Sequence, residues 1–242
     1  MEPIRAFARV RGASRRGSTR AALFLRTALA LSVLCTGALV GCGGDDDGTS
    51  PASLNSQLLP ASQVPGFKIE RKFEWDNPID FVGQGLNVPE ATPPSQAVKA
   101  FEDAGFEAGA GESLVAAKGK PFEGPHGAVE VVQLGSDDDA REALDYVRKE
   151  ALKQPCFAVC SVDAKEFAVA GIPGAKGVQL TPQKELPPDA PPPFEAYSIG
   201  FIIGPRLYLV NADGGPGQAK KSQVISAAKA LYDRNAKSDA AS

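Results

Sequence analysis

Histidine, tryptophan and methionine each occur once in this chain of 242 residues. A single histidine excludes a two-histidine zinc site, and it leaves only His126 to activate a nucleophile. The chain also contains no Gly-x-Ser-x-Gly elbow, no Gly-x-x-x-x-Gly-Lys loop and no His-Glu-x-x-His motif. His126 lies in the turn-like stretch 124–127, where histidines are usually solvated. We therefore expect no catalytic residue, no metal site, no cofactor and no enzyme activity.

The charge is distributed unevenly along the chain. Seven of the 26 basic residues and one of the 29 acidic residues lie in residues 1–41, which leaves the remainder with a net charge of −9. Phosphate backbones would repel such an acidic body, so nucleic acid is not an expected partner. Hydrophobic residues make up 43% and charged residues 23% of the chain, as in a folded soluble domain.

The N-terminal region has the pattern of a secretory signal peptide. An arginine-rich stretch precedes the apolar run 27–40, which is shorter than the ~20 residues that a membrane span needs. A basic segment, a short apolar run and small residues at its end are typical of an export signal. Both general secretion and twin-arginine export, the latter through Ser14-Arg15-Arg16, stay open.

The end of this signal, Leu39-Val40-Gly41-Cys42, resembles the lipobox of bacterial lipoproteins. The resemblance implies cleavage between Gly41 and Cys42 and a diacylglyceryl thioether on Cys42. The membrane is then a partner through an N-terminal lipid that can include palmitate, and the protein lies at the extracytoplasmic face of the cell membrane. An uncleaved N-terminal anchor helix and an ordinary cleaved signal are the alternatives.

The composition divides the chain into four segments. Residues 1–41 are the expected lipoprotein signal peptide, and residues 42–56 are the lipidated cysteine followed by a flexible acidic tether. Residues 57–236 form a single predicted domain, which is long enough to bury a core. Residues 237–242 are an expected disordered tail.

Hydrophobic periodicity predicts an α+β fold in residues 57–236. The first half contains predicted strands at 67–75, 114–117 and 129–134, with helices at 97–104 and from the cap Ser136 to Lys153. The second half contains predicted strands at 167–169, 177–180, 197–203 and 207–210 and a helix at 218–236. The pattern indicates an antiparallel or mixed sheet with amphipathic helices packed on it, arranged as two similar β-β-α halves.

Several short turn-like stretches resemble extracytoplasmic domains of actinobacterial envelope lipoproteins. They are Val64-Pro65-Gly66-Phe67, Ala104-Gly105-Phe106 and Ile172-Pro173-Gly174-Ala175-Lys176-Gly177. Such domains have no described activity, so the resemblance implies a fold and a location and no reaction. The PsbP-type fold is a structural analogy only.

Two further features indicate candidate sites outside the regular elements. Cys156 and Cys160 are the cysteines left after Cys42, and outside the membrane they are expected to form a disulfide, with a metal or redox pair as the alternative. The loop 182–193 is expected to be stiff and to act as a spacer or as a docking site for a partner. Its candidate partner residues are Pro187, Pro188, Pro191, Pro192 and Pro193.

These features favour a non-catalytic, lipid-anchored envelope protein whose domain binds or senses something. An unknown envelope protein is one candidate partner. The alternative is a carrier of an apolar ligand or lipid in a cavity between the sheet and the helices. An uncharacterised hydrolase is the third hypothesis.

Overall fold

The structure is a computed structural model, and it describes residues 49–64, 66–86, 94–118, 124–153, 162–183 and 193–239. These residues all belong to one compact unit. In the described part of the chain, no helix is both long enough and apolar enough to cross a membrane.

Five helices and seven strands make up the described residues. The helices are α1 (Pro51–Asn55), α2 (Pro78–Gln84), α3 (Pro94–Asp103), α4 (Asp137–Leu152) and α5 (Lys221–Asp239). The strands are β1 (Phe67–Trp75), β2 (Ala108–Ala116), β3 (His126–Gln133), β4 (Val162–Phe167), β5 (Lys176–Pro182), β6 (Glu195–Ile203) and β7 (Arg206–Gly214). A short 3-10 turn, Ala61–Gln63, precedes β1.

All seven strands form one antiparallel sheet in the order β1-β2-β3-β7-β6-β5-β4. The α+β prediction is confirmed. Consecutive strands are neighbours except at β3, which pairs with β7 and so joins the first half of the chain to the second.

The sheet is covered on both faces. On β7, Tyr208 and Val210 contact the core beneath α1 and α5, whereas Leu207 and Leu209 contact the core beneath α2, α3 and α4. We call these two sides the α5 face and the α4 face. Because successive side chains of a strand point to opposite faces, the middle of a central strand is apolar on both sides, as in residues 207–210 of β7.

The two halves of the chain share only their order of strands followed by a helix. The first half contributes three strands before α4, and the second contributes four before α5. The two helices cover opposite faces of the sheet. The halves are therefore not equivalent, although their sequence patterns look alike.

In a regular strand the apolar residues 67, 69, 73 and 75 would share one face, but β1 does not follow this rule. A bulge between Ile69 and Arg71 shifts the pairing with β2 by one residue. Phe67 and Ile69 consequently pack on the α5 face, whereas Phe73 and Trp75 pack on the α4 face. An alternating pattern cannot reveal such a bulge, because the apolar residues stay at odd positions while the strand changes face.

The folded body begins earlier than the predicted tether boundary at residue 56. Helix α1 is capped by Ser50 and buries Leu54 completely in the core of the α5 face. The next segment is also fixed, because the Tyr208 hydroxyl donates to Gln57 Oε1 at 2.7 Å and Asn235 Nδ2 donates to the Gln57 carbonyl at 3.0 Å. The tether prediction is wrong for residues 51–56.

Other boundaries also need correction. Helix α5 extends to Asp239, so the predicted tail does not begin at 237. The stretch after β1, where the sequence predicts neither a helix nor a strand before residue 97, contains α2, which is capped by Asn77 and buries Phe81 and Val82. The strand predicted at 167–169 is instead β4, which ends at Phe167.

Replacing Leu54 by alanine tests whether α1 belongs to the domain. The substitution removes a fully buried side chain, and such losses cost about 2–5 kcal/mol of unfolding free energy. The matched control is Ala52→Ser at an exposed position of the same helix. Chemical denaturation is expected to show a large drop for Leu54→Ala and almost none for Ala52→Ser. Equal stability of both variants and the wild type would mean that α1 is only part of the tether.

Candidate functional site

A partly enclosed cavity lies on the α4 face, between helix α4 and strands β3, β5, β6 and β7. The volume available to the centre of a water-sized sphere is about 70 Å³. A single water molecule needs roughly 10–15 Å³ of such volume. The cavity is the clearest candidate site in the described residues.

Most of the cavity wall is aliphatic. Helix α4 and the turn that follows α2 supply one side, and the sheet supplies the other. The apolar lining residues with side chains on this face are Leu86, Leu144, Val147, Ala151, Val178 and Leu209. This wall suits the apolar part of a small ligand.

The approach of α4 to the sheet depends on Gly200 of β6. A Cβ atom at this position would lie 2.5 Å from Leu144 Cδ1, which is closer than two carbon atoms can pack. The absence of a side chain at 200 therefore lets Leu144 reach the sheet. Both residues line the cavity, so this contact forms part of its wall.

Helix α4 itself is positioned by local sequence signals. Ser136 caps it by accepting a hydrogen bond from the Asp139 backbone amide at 3.2 Å, as predicted. Asp137 and Asp138 accompany Asp139 in the first turn, where the helix dipole favours acidic groups. Ala140, Ala143 and Leu144 are buried against the sheet.

The most unusual group of the cavity is Glu130, in the middle of β3. Its side chain is only 2% exposed, and no hydrogen bond or ion pair joins it to another residue in the described part of the chain. Burial raises the pKa of the Glu130 carboxyl to about 8, because the charged form loses its hydration. A substantial fraction of this carboxyl is therefore neutral at pH 7.

Glu130 is held in place by its neighbours in the sheet. It lies opposite Gly111 of β2 and Leu209 of β7. A Cβ atom at position 111 would lie 3.2 Å from Glu130 Cγ and 2.5 Å from Trp75 Cη2. The Trp75 ring and the stem of Glu130 thus share the space above Gly111.

The other charged residues of the cavity are Arg148, Glu150 and Lys176. Arg148 forms ion pairs with Glu166 and with Asp145, the latter at 3.4 Å between Nε and Oδ1. Glu150 is ion-paired with Lys153. Both α4 residues therefore already have partners of opposite charge.

Most of the predicted site residues lie outside the described residues. These are Cys42, Cys156, Cys160, Pro187, Pro188, Pro191 and Pro192. Pro193 is described, and it is exposed just before β6. The lipidation, the disulfide and the proline docking loop remain predictions.

His126 is not part of the cavity lining. It starts β3 and lies opposite Asp213 of β7. The pKa of the Asp213 carboxyl is raised by burial, and the nearby His126 opposes this shift. Within the described ranges, no three histidine, cysteine, aspartate or glutamate residues are grouped so that they could hold a metal ion.

Sequence reasoning missed Glu130, although a signal was present. The sequence predicts a strand for the run Val129-Glu130-Val131-Val132-Gln133-Leu134. Glu130 is the single ionisable residue of this run. Acids are almost never fully buried without a partner. A charge inside a run that is apolar on both faces therefore marks a candidate site.

Comparisons with known proteins give a fold likeness and no family. No family model matches the chain, and no curated protein matches it. The chain is similar to the crystal structure of the extracellular domain of PknH from Mycobacterium tuberculosis, with 15% identity and a TM-score of 0.50, over 78% of this chain and 98% of that one. An uncharacterised protein from Mycobacterium smegmatis gives 14% identity and a TM-score of 0.39, over 76% and 93% of the two chains. The first match shows a shared fold.

The buried carboxyl predicts that Glu130→Gln stabilises the domain with a defined pH dependence. The pKa of Glu130 is higher in the folded than in the unfolded chain, so folding favours the protonated form and loses stability as pH rises from about 4.5 to about 8. At pH 7 the penalty is on the order of 3 kcal/mol. Glutamine cannot ionise, so it avoids this penalty.

Urea denaturation at pH 5 and pH 7 checks this prediction. The gain in unfolding free energy from Glu130→Gln is expected to be larger at pH 7 than at pH 5. The exposed Glu142→Gln on α4 is the matched control, and it should show no such difference. A gain for Glu130→Gln that is the same at both pH values would contradict the raised pKa.

Proposed function

We propose that this chain is a lipid-anchored protein of the cell envelope, and that its extracytoplasmic domain binds a small, largely apolar ligand without catalysis. The observation that carries the binding function is the aliphatic cavity between α4 and the sheet. The lipobox resemblance supports the anchor. The fold likeness to an extracellular domain supports the location.

The size of the cavity favours a ligand-binding or sensing role over the carriage of a whole lipid. The space is that of a few water molecules, which suits a compact molecule or the end of a longer one. The hydrolase hypothesis has less support. Ser198 lines the cavity, but the described lining contains no histidine that could act as its base.

Lipidation is tested by labelling cells with a clickable palmitate analogue. Wild-type protein is expected to be labelled and to stay in the membrane fraction, because two acyl chains anchor a protein stably. Cys42→Ala removes the thiol that would carry the lipid, so its label is expected to disappear. Cys35→Ala, in the segment removed with the signal, is the control and should be labelled like wild type. Equal labelling of Cys42→Ala and wild type would contradict the anchor.

Ligand binding is tested by NMR titration with 1-hexanol, a compact apolar probe. Saturable shifts are expected at methyl groups of Leu144, Val178 and Leu209, which line the cavity. Ala151→Leu adds three carbon atoms at the cavity wall and should weaken binding at least tenfold. Ala230→Leu makes the same change on α5, at the opposite face, and should leave binding unchanged. A wild type without saturable shifts, or an Ala151→Leu variant that binds as wild type does, would exclude this site.

A further inference from the structure

We propose that Glu130 recognises the cationic amino group of a ligand whose remaining part is compact and apolar. This inference rests on the proposed binding function of the cavity and adds the chemical class of its ligand. It follows from the position of an unpartnered carboxyl at the wall of a mostly aliphatic cavity.

The three buried glutamates of the described chain show why Glu130 is different. Glu112 is 2% exposed and forms an ion pair with Lys72, with 2.9 Å between Glu112 Oε1 and Lys72 Nζ. Glu150 is 5% exposed and is paired with Lys153. Glu130 is as buried as Glu112, but no ion pair joins it to Arg148 or Lys176, the two cationic residues of the cavity. Burying a carboxyl without a partner is costly, so a partner supplied by a ligand would relieve that cost.

The cavity geometry favours an ammonium group as that partner. An ammonium group carries a positive charge and three hydrogen-bond donors, whereas an ionised carboxylate only accepts hydrogen bonds. A ligand carboxylate would meet Glu130 with a like charge whenever Glu130 is ionised. The aliphatic side chains of Leu144, Val147 and Leu209 would then surround the apolar part of the ligand.

The titration of Glu130 gives this interaction a pH signature. Burial raises the pKa of the Glu130 carboxyl to about 8, and an alkylammonium stays protonated to about pH 10. Binding of the cation requires the ionised carboxyl, so affinity is expected to rise on the order of a hundredfold between pH 6 and pH 9. Arg148 and Glu150 of α4 and Lys176 of β5 also line the cavity. The contribution of these three residues to the pH dependence is the change of affinity with pH that remains in the Glu130→Gln variant.

Three probes of equal chain length separate the alternatives: n-hexylamine, 1-hexanol and hexanoate. Calorimetric titration at pH 8 is expected to show that wild type binds hexylamine at least tenfold more tightly than either of the others. Glu130→Gln should bind hexylamine and hexanol equally, with no rise from pH 6 to pH 9. Glu142→Gln, at an exposed position of α4 outside the cavity, is the matched control and should keep the preference for the amine.

The outcomes distinguish this inference from the proposed function. If hexanol binds the wild type and hexylamine binds no better, the cavity is a binding site but Glu130 does not select an amine. If Glu130→Gln keeps the preference, another group provides it, and the inference is wrong. If none of the three probes binds, both proposals fail. The NMR spectrum of Glu130→Gln serves as the check that this variant is folded.

Discussion

Burial of the sheet on both faces determines what its strands can carry. Helices α1 and α5 cover one face and α2, α3 and α4 cover the other, so side chains on either side of a central strand lie in an apolar core. Where a helix or an aromatic ring comes close, the strand has glycine, as at Gly111 beneath Trp75 and at Gly200 beneath Leu144. Glu130 is the residue of β3 that least fits this environment, because its carboxyl is buried without a partner.

Sequence patterns correctly predicted the helices and strands that are determined by neighbouring residues, such as a cap or an apolar run. Helix α4 begins after its predicted cap Ser136, and β6 and β7 extend the predicted strands by a few residues. Helix α1 was not predictable in this way, since Leu54 is buried by contacts with residues far along the chain. The start of β2 at Ala108 was also missed, because its alternating alanine and glycine residues have low strand propensity and are favoured there by the ring of Trp75.

The candidate site was only partly accessible from the sequence. An acid in the run 129–134 could have been recognised as exceptional, because the run has almost no other polar residue. The cavity could not have been recognised from the sequence, because its existence depends on how closely α4 approaches β6 through Leu144 and Gly200. A cavity between sheet and helices was one of the alternatives drawn from the sequence, and packing geometry alone decides whether such a space is filled.

The central claim is that the space beneath α4 holds a ligand in the cell. Native mass spectrometry of the protein purified from its own membrane, compared with Ala151→Leu prepared in the same way, tests it most directly. We expect the wild type to carry one additional small mass, which is released when the complex is dissociated in the gas phase and is absent from Ala151→Leu. The same bound mass on both proteins, or on neither, would contradict it.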